Sequence, residues 1–101
     1  MKYKIGQKVE VDIDKIYNAI NEHRIFKNKI ISLYIEGNNN TTKIYKINAN
    51  EKLPYRVNPP MVCDYYDENG NINSAKSVRL HDYYIVKSVP DILIDDKLFE
   101  L

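Results

Sequence analysis

Lys29-Ile30-Ile31-Ser32-Leu33-Tyr34-Ile35-Glu36 runs into Gly37-Asn38-Asn39-Asn40 and then into Thr41-Thr42-Lys43-Ile44-Tyr45-Lys46-Ile47. The outer runs are rich in the β-branched and aromatic residues that suit a pleated, half-buried surface. The four residues between them tolerate turn and left-handed conformations. The pattern predicts a strand over 25–36, a turn at 37–40 and a second strand over 41–48, paired as a hairpin. In the first strand Ile31, Leu33 and Ile35 share one face, and Ile30, Ser32 and Tyr34 the other. Partial cover on both sides makes it the expected centre of a sheet.

Upstream, Gly6 can turn the chain. Val9, Val11 and Ile13 then alternate with Lys8, Glu10 and Asp12, as in a strand with one buried face. Asp12 or Asp14 can cap a helix; with Asp12 as the cap, Val11 and Ile16 stand where a hydrophobic staple needs them. Ile16, Ile20 and His23 recur at helical spacing, and His23, Arg24 and Lys27 suit a helix C-terminus. A short helix is expected over 14–23.

Downstream, 48–54 reads as a loop and Tyr55-Arg56-Val57 as a short extended piece. Asn58-Pro59-Pro60 ends it, because two prolines remove two ladder donors. Met61–Tyr66 resumes a strand, and Asn69-Gly70 signals a tight hairpin. A two-residue turn there places Tyr65 opposite Ser74, and Met61, Cys63 and Tyr65 on one face with Ile72 and Val78. Whether this hairpin projects or packs is left open. Ser77–Leu80 and Tyr83–Val89 are the last strands, with a bend at His81-Asp82. Residues 90–101 form a tail in which Ile92, Leu93, Ile94, Leu98, Phe99 and Leu101 lie among four acids.

With 101 residues, the chain is expected to be a single domain, 1–101. Its 44% hydrophobic and 29% charged residues are those of a folded protein rather than a disordered one. No run approaches a membrane span, no apolar segment follows the basic N-terminus, and Cys63 is the single cysteine. These features lead us to expect a cytoplasmic protein with no membrane partner. The net charge is +1, which gives no global attraction to nucleic acid. Residues 1–30 hold seven Lys/Arg against four acids, however, and residues 61–101 hold four against eight. Lys, Asn, Ile and Tyr dominate, as in AT-rich genomes, which hints at a low-GC bacterium, a phage or a mobile element.

Ile5-Gly6-Gln7-Lys8-Val9-Glu10-Val11 resembles the opening of SH3-like barrels of the KOW and Tudor kinds, where a glycine precedes a Val-x-Val strand. Lys29-Ile30-Ile31, Lys43–Ile47 and Tyr55-Arg56-Val57 are similar to later strands of such barrels. The resemblance covers about two-thirds of the chain and implies a binding module that presents aromatic residues to peptides or nucleic acids. The expected fold is mainly β (α+β): a small antiparallel barrel or curled sheet, SH3-like, with one short helix inserted after the first strand.

Catalytic and metal motifs are weak. Cys63 and His81, with Asp64 or Asp82, could make a nucleophile and base, but no family signature surrounds them. His23 and His81 stand 58 positions apart, too far in sequence for a clustered zinc motif. Asp64, Asp67, Glu68, Asn69 and Gly70 fail the spacing of a calcium loop. No catalytic residue, metal or cofactor is therefore assigned. Tyr55, Arg56, Tyr65, Tyr66, Arg79, Tyr83 and Tyr84 are the expected binding residues, since Tyr and Arg anchor interfaces and also stack on bases. The first expectation is a non-enzymatic protein-binding module, such as an accessory or inhibitor protein of a phage or mobile element. A nucleic-acid-binding barrel using Lys2, Lys4, Lys8, Arg24, Lys27, Lys29, Lys43 and Lys46 is the alternative, and an enzyme using Cys63 or His81 the third. The tail leaves room for a homodimer.

Overall fold

A computed structural model describes residues 1–22, 29–37 and 39–90. The elements are β1 (Lys8–Val11), α1 (Ile13–Glu22), β2 (Ile30–Ile35), β3 (Thr41–Ile47), β4 (Tyr55–Tyr66), β5 (Ile72–Leu80), a 3-10 turn (Asp82–Tyr84) and β6 (Ile85–Ser88). The fold is mainly β: one antiparallel six-stranded sheet, not closed into a barrel, with one helix after the first strand. Of the two expected forms, barrel or sheet, the chain adopts an open sheet.

The helix follows the local signals. Asp12 Oδ1 accepts the Lys15 N–H at 3.1 Å, so Asp12 is the cap. Val11 and Ile16 are both buried on either side of it, as a hydrophobic staple requires. Ile16 and Ile20 form the buried stripe. The cationic cluster expected at its end (His23, Arg24, Lys27), the start of the second strand (25–28) and the tail (91–101) lie outside the described residues.

The strand pairing differs from expectation at the 37–40 turn. β2 and β3 do not pair with each other. Both run antiparallel to β4, β2 against Met61–Tyr65 and β3 against Tyr55–Asn58. β5 pairs with β4 over both stretches. A strand has two edges; β5 takes one, so β2 and β3 follow one another along the other. The positive φ angles of Gly37 and Asn40, +101° and +54°, serve a sidestep rather than a reversal. The sidestep is pinned to β4: the Glu36 N–H donates to the Pro60 carbonyl at 3.0 Å, and the Thr42 hydroxyl to the Pro59 carbonyl at 2.7 Å. β3 then accepts β1 on its far edge, with Lys8 opposite Lys43, and β6 completes the order by pairing with β1.

β4 is therefore the central strand, and among the described residues β2 pairs only with β4. The prolines do not end β4, which runs twelve residues through Asn58-Pro59-Pro60 with a cis bond at Asn58-Pro59. Between Arg56 and Met61 the β4–β5 register skips, with one β5 residue facing four of β4. In that bulge no ladder donor is needed, so prolines fit.

A second bulge reshapes β2. Its register with β4 shifts between Ile30 and Ser32, which leaves Ile31 as an extra residue. Ile30 rotates onto the face of Leu33 and Ile35, and Ile31 turns outward, 43% exposed. The expected Ile31-Leu33-Ile35 face is thus an Ile30-Leu33-Ile35 face.

The β4–β5 hairpin turns where Asn69-Gly70 placed it, with a register one residue away from expectation. Tyr65 faces Asn73, and Asp64 faces Ser74. Gly70, at φ +79°, ends a three-residue loop, not a two-residue one. The Asp67 carboxylate organises that loop, accepting the Asn69 and Asn71 N–H groups at 2.9 Å each. A one-residue slip exchanges faces. Ala75, not Ile72, joins Cys63, and Ile72 is exposed. Because β2 and β5 flank Met61–Tyr65, the base of the hairpin packs in a three-stranded stretch.

The 3-10 turn takes Tyr83 and Tyr84 out of the expected last strand, and the His81 ring accepts the Tyr83 N–H at 3.0 Å.

Two outcomes follow from these bonds. Thr42 is 1% exposed, so Thr42→Val strands the Pro59 carbonyl and should cost about 1–3 kcal/mol. Thr42→Ser keeps the bond and should cost about 1 kcal/mol for the lost methyl; urea midpoints at unchanged slope check both. Asp64 is held below the ordinary carboxylate range by the Ser74 hydroxyl, opposed by desolvation and helped by Ser32 and Tyr34. Asp67 is lowered by the Asn71 amide first, opposed by desolvation, and helped by Asn69 and Asn73. Depressed folded pKa values stabilise above the unfolded value and stop doing so as pH falls through the folded one. Melting temperature should therefore drop below the ordinary aspartate range, and the drop should shrink in Asp64→Asn/Asp67→Asn.

Candidate functional site

The β2-β4-β5 stretch has two unlike faces, set by its register. On one face Leu33, Cys63 and Ala75 line up across three strands, with Met61 and Ser77 beside them. On the reverse face Ser32, Asp64 and Ser74 line up, and both serine hydroxyls donate to the Asp64 carboxylate. The polar row is satisfied within itself. The apolar row is the floor of a groove.

The helix supplies one wall of this groove through Ile16, Ala19 and Ile20. Leu53, Leu80 and Tyr84 also line it, and the exposed Lys76 and Arg79 reach its rim. Its volume is about 320 Å³, at the small end of the ~300–1,000 Å³ of ligand sites.

Charge at the mouth is positive. Arg56 and Arg79 face each other across β4 and β5. Arg56 is drawn toward the 48–53 loop, where it pairs with the Glu51 carboxylate and donates to the Leu53 carbonyl at 3.1 Å. That bond from Arg56 is the main cause holding Glu51 below the ordinary carboxylate range. Two guanidiniums thus stand beside one carboxylate, and Arg79 is the exposed member. Lys76 is turned toward Glu36, at 3.4 Å.

Of the seven expected binding residues, Arg79 and Tyr84 line the groove. Tyr55 is wholly buried: its hydroxyl donates to Asp82 and accepts the Tyr3 N–H at 3.0 Å, and its ring meets Tyr3 edge-on at 6.2 Å. Tyr55 is a core residue, because it starts the central strand and joins the N-terminus to the 3-10 turn. Arg56 is occupied by its loop. Tyr66 and Tyr83 are exposed, Tyr83 under the Lys15 ammonium at 4.4 Å, and Tyr65 is half-buried. Sequence reasoning missed Leu33, Met61 and Ala75 as site residues. The Met61/Cys63 alternation carried a signal, and the hairpin register decided which β5 residue joined it.

Cys63 lies in the groove floor, and His81 is not among the lining residues. Burial pushes the Cys63 thiol up, and the charge of Asp64 adds to it. An activated nucleophile needs the opposite shift. Among the described residues no three His, Cys, Asp or Glu side chains gather as a metal site would need, and no helix is long and apolar enough to cross a membrane.

Fold and groove together define a small, mainly β protein with an open sheet and an apolar cleft under its helix. No family model, curated protein or solved structure matches the chain.

Iodoacetamide should alkylate Cys63 more slowly than an exposed thiol at neutral pH. The rate should keep rising at pH values where an exposed thiol has levelled off. Fast reaction at neutral pH would instead mark the stabilised thiolate that a catalytic role requires.

Proposed function

We propose that this protein is a non-enzymatic binding module whose groove takes an apolar segment of a partner protein carrying a carboxylate beside its anchor. The observation that carries the reading is the Leu33-Cys63-Ala75 row: an apolar floor left open between helix and sheet, with Arg79 at its mouth. An apolar anchor in such a cleft gains ~25 cal/mol per Å² removed from water. The exposed guanidinium suits an acidic neighbour, because its planar fork matches a carboxylate. Arg79 and Tyr84 are the contact residues, and Tyr66 and Tyr83 extend the surface outside the groove. The SH3-like resemblance belongs to the same reading; β6 returning to pair with β1 supports it. The composition of an AT-rich genome suits an accessory or inhibitor protein of a phage or mobile element, working inside the cytoplasm.

A second reading rests on the other end of the sheet. Lys8 and Lys43 are directly opposed, with Tyr45 51% exposed nearby in β3. Like charges opposed across strands are destabilising unless an anion joins them. A phosphate backbone is such an anion.

Ala75→Arg places a charged side chain in the groove floor. Affinity capture from a host lysate should retain a partner on the native chain and lose it at least about tenfold on Ala75→Arg, with circular dichroism unchanged. Equal capture by both chains would remove the groove from the interface. A low-salt gel shift abolished by Lys8→Glu/Lys43→Glu would favour the β1–β3 face instead.

A further inference from the structure

We propose that the protein's own C-terminal segment, residues 91–101, seats its Leu98-Phe99 pair in the groove and competes there with any external partner. The inference rests on the groove reading above and names the first occupant the groove meets.

Three observations carry it. The first is chemical match. Residues 91–101 lie outside the described residues, and their sequence holds Ile92, Leu93, Ile94, Leu98, Phe99 and Leu101 with Asp91, Asp95, Asp96 and Glu100. This is the apolar, carboxylate-bearing segment that the floor and Arg79 call for. The second is charge. The segment carries four acids against Lys97, a formal −3, whereas residues 1–90 hold fourteen Lys/Arg against ten Asp/Glu, a formal +4. The near-neutral chain is thus a basic body joined to an acidic end, and attraction between them is strongest where local positive charge faces an apolar surface. The third is reach. Tyr84 lines the groove and Pro90 follows six residues later. Six residues span at most ~20 Å, so Pro90 lies within that distance of Tyr84. The eight residues from Pro90 to Leu98 span up to ~26 Å, enough to return. Leu98 and Phe99 form an adjacent apolar pair within that reach, directly beside the Glu100 carboxylate.

A tethered segment meets its site at the high effective concentration a short linker sets, in the millimolar range. Even weak intrinsic affinity then fills the groove, and a partner must compete with it.

Cys63, the single cysteine, is a built-in reporter because it lies in the groove floor. The experiment measures iodoacetamide alkylation of Cys63 in the full chain at fixed alkaline pH. Leu98→Asp/Phe99→Asp should raise the rate about tenfold, the factor that release of a site about 90% occupied produces. Arg79→Glu, with the tail intact, should raise it in the same direction. A synthetic peptide of residues 90–101 should restore protection to the Leu98→Asp/Phe99→Asp chain. Circular dichroism of each variant checks that the fold is kept. Unchanged rates in both variants overturn the proposal. So does protection in the native chain that falls on dilution, because the occupant is then the tail of a second copy. If the variants react at the native rate yet added peptide protects Cys63, the tail proposal fails and the groove reading stands. If peptide never protects, both fail.

Discussion

A β-strand offers two hydrogen-bonding edges, and β4 has three neighbours. That constraint organises the molecule. β5 runs the length of one edge, so β2 and β3 must divide the other. The handover between them falls at Pro59-Pro60, two residues that cannot donate to a ladder but can still accept. Their carbonyls take the Glu36 N–H and the Thr42 hydroxyl, one from each side of the junction. β3 is thereby placed to receive β1 and, through it, β6. β2 stays behind against Met61–Tyr65. The helix that follows β1 leans on β2, and the space left under it is the groove.

The two halves of β4 are held differently. Its first half is fixed by Tyr55, whose hydroxyl joins the N-terminal backbone to Asp82 while its ring packs on Tyr3. Burial, with the Asp82 carboxylate adding, pushes that hydroxyl above its ordinary pKa. Its second half is sided: hydrogen-bonded serines around Asp64 on one face, bare aliphatic surface on the other. The groove face has apolar surface still to cover, and it is there that Arg79 and Tyr84 meet residues from four other elements and loops.

What the sequence revealed was local. Asp12, Val11 and Ile16 announced the helix, because a cap and a staple are complete within six residues. The strands themselves were legible for the same reason: alternation needs only neighbours. Pairing was not, since nothing near Gly37–Asn40 shows that the acceptors for Glu36 and Thr42 lie at Pro59 and Pro60, some twenty residues away. Pro59-Pro60 read as a terminus because a bulge in β5 pairing, which makes prolines harmless, leaves no mark on β4 itself. The turn at Asn69-Gly70 was visible, but Asp67, by collecting the loop amides, moved the register by one. That single step decided the site: it put Ala75 beside Cys63 and sent Ile72 to the surface. Tyr55 and Arg56 showed residue type without showing that a core and a loop had already claimed them.

The extra residue in β2 has a further consequence. Ile30-Ile31-Ser32-Leu33-Tyr34-Ile35 is uncharged, contains no proline and has strong β propensity, and among the described residues it ladders on one side only. Six residues of that kind on a flat rim are a template for fibrillar stacking. The kink at Ile31 breaks the even spacing of donors and acceptors that a second molecule would need to add itself in register. The same irregularity that turns Ile30 into the core thus acts as a safeguard against cross-β self-assembly, and it lets so sticky a segment stand at the border of the sheet.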